Sequence, residues 1–282
     1  MSLTMGAGPF GPQSPGTFNF QRQGPAHVLY WEPVPQRIRG ILAGQTVVDS
    51  NAAMRLHETG LLPVLYFPAD DVRGDLLAAS DHSSHCPFKG DASYRSLRIG
   101  DREATDAVWT YEQPLDSAPP IAGYLAFYPD ALDAWFEEDQ EVFTHFRDPY
   151  HRVDVLDSSR HVRVSVGDQV LAETIRPRMV FETGLPPRAY VPPEDVAADL
   201  LTASDTRTGC PYKGQASYWS AAAGGQEVVD AAWSYPQPLP DGTRLAGYLS
   251  FDDNKVNVVV GEPDGPGRRG EPGQPGGADE QP

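Results

Sequence analysis

A cysteine, a proline, an aromatic ring, a lysine and a glycine stand in a row twice in this chain. They are Cys86-Pro87-Phe88-Lys89-Gly90 and Cys210-Pro211-Tyr212-Lys213-Gly214, 124 residues apart. A thiol three residues before a lysine offers two chemistries. A nearby cation lowers a thiol's pKa and makes it a nucleophile. A lysine held in a confined site serves instead as an acid–base group or a fixed charge. Cys86, Lys89, Cys210 and Lys213 are therefore the catalytic candidates. No histidine is shared by the two copies: His82 and His85 flank Cys86, where the second copy has Thr206 and Gly209. A Cys–His pair is open only to the first copy.

The same offset holds without a gap from about Arg39/Arg163 to Phe127/Phe251. Roughly two fifths of these positions are identical, far above chance for an internal repeat. The chain thus carries its own two-member alignment. A plain β core would keep apolar positions and let polar ones drift. Here polar residues persist beside large aromatics: Glu58/Glu182, Thr59/Thr183, Asp71/Asp195, Ser80/Ser204, Lys89/Lys213, Ser93/Ser217 and Asp106/Asp230. With Tyr66, Trp109, Tyr111 and their counterparts Tyr190, Trp233 and Tyr235, they suggest pockets walled by rings and fixed by a few charges. The ligand-binding candidates are Glu58, Tyr66, Asp71, Ser93, Trp109 and Tyr111, with Glu182, Tyr190, Asp195, Ser217, Trp233 and Tyr235. Lys89 and Lys213 are hardest to explain by packing, and Glu58/Glu182 are their candidate partners.

Other chemistries find less support. His82, His85 and Cys86 resemble part of a metal cluster, but zinc asks for more N and S ligands, and the second copy lacks both histidines. No metal is expected. There is no phosphate-cradling glycine loop and no nucleophile elbow, so no cofactor is expected either. Cys86 and Cys210 are expected to be free thiols rather than a disulfide.

Strands and turns must position these residues. Ile38 to Leu42, the Ala43-Gly44 turn and Thr46 to Asp49 read as a hairpin, repeated by Val162 to Val166, Gly167-Asp168 and Val170 to Glu173. A short helix is expected over about Asn51 to Thr59, closed by Gly60, with its last turn repeated near Met179 to Thr183. Tyr66 to Pro68 and Tyr190 to Pro192 read as extended. After the Cys loop come a strand with Ser93-Tyr94, a turn at Gly100 (Gly224 in the second copy), a strand with Trp109 and Tyr111, and one with Tyr124. Alternation puts Trp109 and Tyr111 on one face. A strand regular from Lys89 onward would place Lys89 with Asp91 and Ser93, opposite Gly90, Ala92 and Tyr94.

The expected organisation is a disordered leader (1–26), a first β domain (27–129), a linker (130–159), a second β domain (160–260) and a disordered acidic tail (261–282). In the linker, Leu132, Trp135, Phe136, Val142 and Phe143 fall near helical spacing, so it is expected to be one amphipathic helix that packs against a domain. The fold class is thus mainly β, two small antiparallel domains each with five to seven strands and a short helix. The 282 residues carry a formal charge of −17. That balance argues against nucleic acid and anionic membranes as partners. No apolar run is long enough to span a bilayer, and the N-terminus lacks a secretory pattern, so a cytoplasmic location is expected.

The motifs E-T-G-L-L-P, Y-F-P-A-D-D-V, C-P-F-K-G-D-A-S-Y and D-A-V-W-T-Y-E-Q-P, each echoed in the second copy, resemble the DUF427 domain. So does the linker run R-D-P-Y-H-R-V-D. The resemblance implies a small β fold of the β-tent or Mss4-like kind, without that fold's usual zinc, since paired cysteines are missing. It names no activity. The leading expectation is a small polar or aromatic ligand, one pocket per repeat. An enzyme using the Cys-Pro-aromatic-Lys-Gly loop and a protein-interaction module are the alternatives.

Overall fold

The computed structural model describes residues 3–19, 21, 26–223 and 225–263. The chain forms two compact units. The first comprises Met1–Val153 with Glu182–Pro186 and Gly209–Tyr212; the second comprises Asp154–Phe181, Pro187–Thr208 and Lys213–Pro282.

The first half of the chain contributes eleven strands: β1 (Leu29–Pro33), β2 (Ile38–Leu42), β3 (Gln45–Ser50), β4 (Met54–Glu58), β5 (Val64–Pro68), β6 (Leu77–Cys86), β7 (Gly90–Ile99), β8 (Arg102–Thr110), β9 (Tyr124–Phe127), β10 (Ala134–Glu137) and β11 (Gln140–Glu141). They build a seven-stranded sheet, β1-β4-β5-β9-β8-β7-β6, and a four-stranded sheet, β11-β10-β2-β3. Ile38, Leu42 and Val47 from the small sheet meet Phe67, Leu97, Val108 and Phe127 from the large one in a single buried cluster. Two twisted sheets packed this way exclude water from both inner faces. The outer face of the large sheet carries a second cluster, with Leu56, Tyr66, Tyr94 and Tyr111. The large sheet is therefore buried on both sides, and the second burial makes the candidate site.

The second half repeats the plan with β12 (Val153–Asp157), β13 (Arg160–Val166), β14 (Gln169–Thr174), β15 (Arg178–Glu182), β16 (Arg188–Tyr190), β17 (Leu201–Cys210), β18 (Gly214–Ala223), β19 (Gln226–Ser234), β20 (Leu249–Phe251) and β21 (Asn257–Pro263). Its sheets run β12-β15-β16, β14-β13-β21 and β17-β18-β19-β20. Its core is Val162, Val164, Leu171, Met179, Ala221, Ala232 and Phe251. Where the first core has Leu97 and Val108, the second has the smaller Ala221 and Ala232.

Mainly antiparallel β architecture and both hairpins agree with the sequence reading. Three elements correct it. The helix expected at 51–59 is strand β4, and its counterpart is strand β15. Ala-Ala-Met-Arg-Leu favours helix locally, but pairing with β1 on one side and β5 on the other overrides propensity. Among the described residues the helices are short 3-10 turns, none long and apolar enough to cross a membrane. The helical linker is likewise strand. β10 pairs with β2, so Trp135 sits opposite Gly40. A Cβ on Gly40 would come within 2.8 Å of the Trp135 ring, so the bare backbone admits the indole. The strand count also exceeds five to seven per domain, because these linker and leader-proximal segments join the sheets.

The ends differ from the reading as well. Thr4, expected in a disordered leader, is fully buried; its hydroxyl donates to the Glu58 carbonyl at 3.1 Å. Strand β21 runs to Pro263, three residues into the segment expected as a tail from residue 261. Residues 264–282 and the turn glycine Gly224 lie outside the described residues.

Candidate functional site

The site grows from a row of side chains across the large sheet. Tyr66 on β5 pairs with Ala126 on β9, Ala126 pairs with Trp109 on β8, and Trp109 pairs with Tyr94 on β7. Directly opposed residues share a face. Three rings thus point to one side, with alanine between two of them leaving room above the sheet. Trp31 on β1 closes the row at 5.3 Å from Tyr66, edge to face. Such tilted contacts suit the ring quadrupole. Tyr128 completes the wall, 4.7 Å from Trp109.

Above these rings lies a cavity of about 440 Å³, lined by Leu56, Glu58, Tyr66, Lys89, Trp109 and Tyr111 among others. Glu58 and Lys89 are the charged groups in that wall. They are 6 % and 8 % exposed, and their side chains form a close ion pair. The Lys89 ammonium stands 5.9 Å from the Tyr111 ring centre. Glu58 ends β4 on the same face as Leu56, so strand parity brings it to the cavity.

Lys89 arrives differently from the expectation. It lies in the turn before β7, and Gly90 takes φ +103°. Strand alternation starts only after that residue, so Lys89 turns inward while Asp91 and Ser93 face out. Lys89 and Tyr94, placed on opposite faces by a regular strand, line the same cavity. A left-handed φ is cheap only for glycine, and Gly214 repeats it at +103°.

A histidine completes the charged end. His27 Nε2 lies 2.9 Å from Glu58 Oε1, and its ring stacks on Phe88 at 3.7 Å. Its counterpart at the same offset, His151, lies 3.0 Å from Glu182 Oε1 and stacks on Tyr212 at 4.1 Å. This overturns the reading that no histidine is shared. The pair sits upstream of the segment where the copies are visibly alike. Carrying the offset past Arg39 to the next matching residues would have found it.

Burial drives the Tyr66 hydroxyl far above the ordinary tyrosine pKa, opposed by a hydrogen bond from Trp109. Tyr111 is raised by burial too, reinforced by nearby Tyr66 and Cys86. Both phenols stay neutral and can donate or accept hydrogen bonds across the ordinary pH range.

The second repeat keeps the same local geometry. Tyr190 and Trp233 stand 6.5 Å apart at 88°, against 6.4 Å and 83° for Tyr66 and Trp109. Trp233 Nε1 donates to the Tyr190 hydroxyl at 3.2 Å. Lys213 is 8 % exposed, and its ammonium lies 6.0 Å from the Tyr235 ring.

Other repeated polar residues bond to neighbouring strands and turns. Asp71 accepts from the Ser50 hydroxyl at 2.5 Å, and Asp195 from Thr174 at 2.7 Å; neither caps a helix nor reaches the cavity. Ser93 bonds Glu112 at 3.2 Å on the face of β7 opposite Tyr94, away from the site, and Ser217 holds the matching position on β18. Asp106 and Asp230 take φ near +50° at a bulge, their amides donating to Ser96 and Ser220. Thr59 and Thr183 each accept an amide proton at 2.9 Å.

The thiols are free and half-buried. Cys86 packs against the aromatic cluster. Its flanking histidines are engaged elsewhere: His85 Nδ1 lies 2.6 Å from Asp91, and the His82 ring lies on Tyr94 at 4.4 Å. Among the described residues no three His, Cys, Asp or Glu side chains converge to hold a metal.

Comparison with curated proteins finds no match. The family profile described as a domain of unknown function, DUF427, matches residues 30–138 and again 154–262. Covering most of the chain in two successive copies, that match makes this protein a member of the DUF427 family with two domains in tandem.

Proposed function

We propose that the first repeat binds a small aromatic or largely apolar molecule carrying one polar group. The rings would hold the apolar body, and the Glu58–Lys89 pair with the neutral tyrosine hydroxyls would orient the polar end. One observation carries this reading. Among the described residues, Glu58 and Lys89 are the only Asp, Glu, Lys or Arg side chains in the wall of a ring-lined cavity of about 440 Å³, and both persist at one offset in the second copy, whereas the wall's histidine, His145, does not. A cavity of that size and character falls within the range of small-molecule sites. The retained Tyr190–Trp233 and Lys213–Tyr235 geometry supports a comparable role for the second repeat.

The enzyme reading draws less support. Lys89 is committed to Glu58, and neither histidine beside Cys86 is turned to activate it. The interaction reading rests partly on the acidic tail, which lies outside the described residues.

A thermal-shift screen of small aromatic compounds bearing a hydroxyl, carboxylate or amine tests the proposal. Hits should raise the melting temperature of the full chain and lose most of that effect in Lys89→Ala and Trp109→Leu. Hits indifferent to both substitutions would overturn it.

A further inference from the structure

Strand β4 serves two sites, one on each face. Leu56 and Glu58 face the ring-lined cavity. Arg55 and His57 point the other way, where Arg55 pairs directly with Glu32 of β1 and His57 with Tyr30. On that side a separate cavity of about 460 Å³ is lined by Glu32, Arg55, Glu137, Arg147, Asp148 and Tyr150, with neighbours.

Two of its charged groups, Arg55 and Asp148, are not fully partnered by the others. Arg55 is 4 % exposed, yet its ion-pair partner, Glu32, stands 3.7 Å away, beyond hydrogen-bond range. Glu32 is engaged already: Oε1 faces His57 Nε2 at 2.8 Å, and Oε2 accepts from the Tyr150 hydroxyl at 2.7 Å. A guanidinium carries five donors that suit a carboxylate held by two bonds. In the same wall Glu137 is half-buried, and burial raises its pKa against the pull of Arg55 and Arg147. Asp148 is 7 % exposed; Oδ1 accepts the Tyr150 amide, and Oδ2 has no hydrogen-bond partner among the described residues. A buried carboxylate oxygen left without a partner, as Asp148 Oδ2 is, is costly.

The fold does not require them. In the second repeat the equivalents of Glu32, Arg55 and His57 are Leu156, Met179 and Phe181, and Met179 is as buried as Arg55. The same strands form without the charges, so the strand pairing does not depend on them.

We propose that this cavity binds a small zwitterion, an amino acid or short peptide, with its carboxylate on Arg55 and its ammonium on Glu137 and Asp148. A purely anionic ligand would meet both carboxyl groups, and a purely cationic one would meet Arg55 and Arg147. Only a molecule bearing both charges answers both signs.

Saturation-transfer NMR on the full chain tests this. The probes are the common amino acids and glycylglycine, with citrate and spermidine as singly signed controls. At least one zwitterion should show transfer and bind more tightly than either control. Arg55→Met, the residue of the second repeat, and Glu137→Gln should each weaken it about tenfold, the loss of one charge-assisted bond. Glu137 is only half-buried, so its variant reports even if Arg55→Met folds poorly. No transfer from any zwitterion, tighter binding of citrate or spermidine, or affinity unchanged in Glu137→Gln would overturn the assignment.

Discussion

Among single residues, the repeat marks the lysine more reliably than the cysteine. Lys89 has no bland explanation in the sequence, and it proves to be a buried cation with Glu58 as its partner. What the sequence hides is the third member, His27, because its neighbours have diverged. The buried pair predicts a double-mutant outcome. Removing one member of such a pair strands the other, at a cost of about 3–5 kcal/mol. Lys89→Met should therefore destabilise the protein strongly, read as a shift in urea midpoint against wild type. In Lys89→Met/Glu58→Gln no stranded charge remains, so that double variant should lose less stability than Lys89→Met alone. A double variant as unstable as Lys89→Met would show that Glu58 is not stranded by the loss of the lysine.

Among the elements, turns and hairpins are legible because their residues are chemically committed: Ala43-Gly44 and Gly167-Asp168 close hairpins as expected. β4 is not legible. Its residues Arg55, Leu56, His57 and Glu58 are all buried, because both faces of the strand are covered, so neither polar–apolar alternation nor a helical stripe survives. β10 misleads for another reason: Trp135 and Phe136 fit helical spacing, and only the free edge of β2 with Gly40 shows why a strand wins. The turn at Gly90 carries the most consequence. With a φ of +103° it redirects Lys89, and a Cβ there would lie 3.4 Å from the Gln113 carbonyl oxygen. Gly90→Ala should cost about 1–3 kcal/mol, the usual range for a side chain forced into such a conformation. It should also weaken any ligand that depends on Lys89. The same substitution at Gly100, where an added Cβ would meet nothing within 4 Å, strains a hairpin turn remote from the lysine. Gly100→Ala should lower stability while leaving ligand affinity unchanged. Equal affinity loss in both variants would show that Gly90 does not act by aiming Lys89.

Across the whole molecule, two populations of titrating groups bound the pH range of stability. On the acid side are carboxylates held below their ordinary pKa: Asp49 by its bond from Arg37, Asp195 by Arg176 and Glu173 by His161. Their contribution is present above the unfolded pKa and is lost as pH falls below about 4. These pairs lie at or near the surface, where solvent screening leaves each worth little. On the alkaline side are Tyr66 and Tyr111, raised by burial. A raised pKa works in the opposite sense: the contribution is complete below the unfolded value, about 10, and is lost as pH climbs toward the folded one. Tyr66 is 1 % exposed, so its ionisation meets the full cost of an apolar wall. Magnitude therefore favours a shallow acid limb and a steep alkaline one, with a plateau from about pH 5 to pH 9. Tyr66→Phe should flatten the alkaline limb while leaving the acid limb as it was, in urea unfolding followed across the series. The net charge of −17 adds a separate signature. Its self-repulsion is screened by salt, so added salt should raise the melting temperature at pH 7 and do little near the sequence pI of 4.7. An alkaline limb unchanged in Tyr66→Phe would mean that the buried ring wall is not what limits stability at high pH.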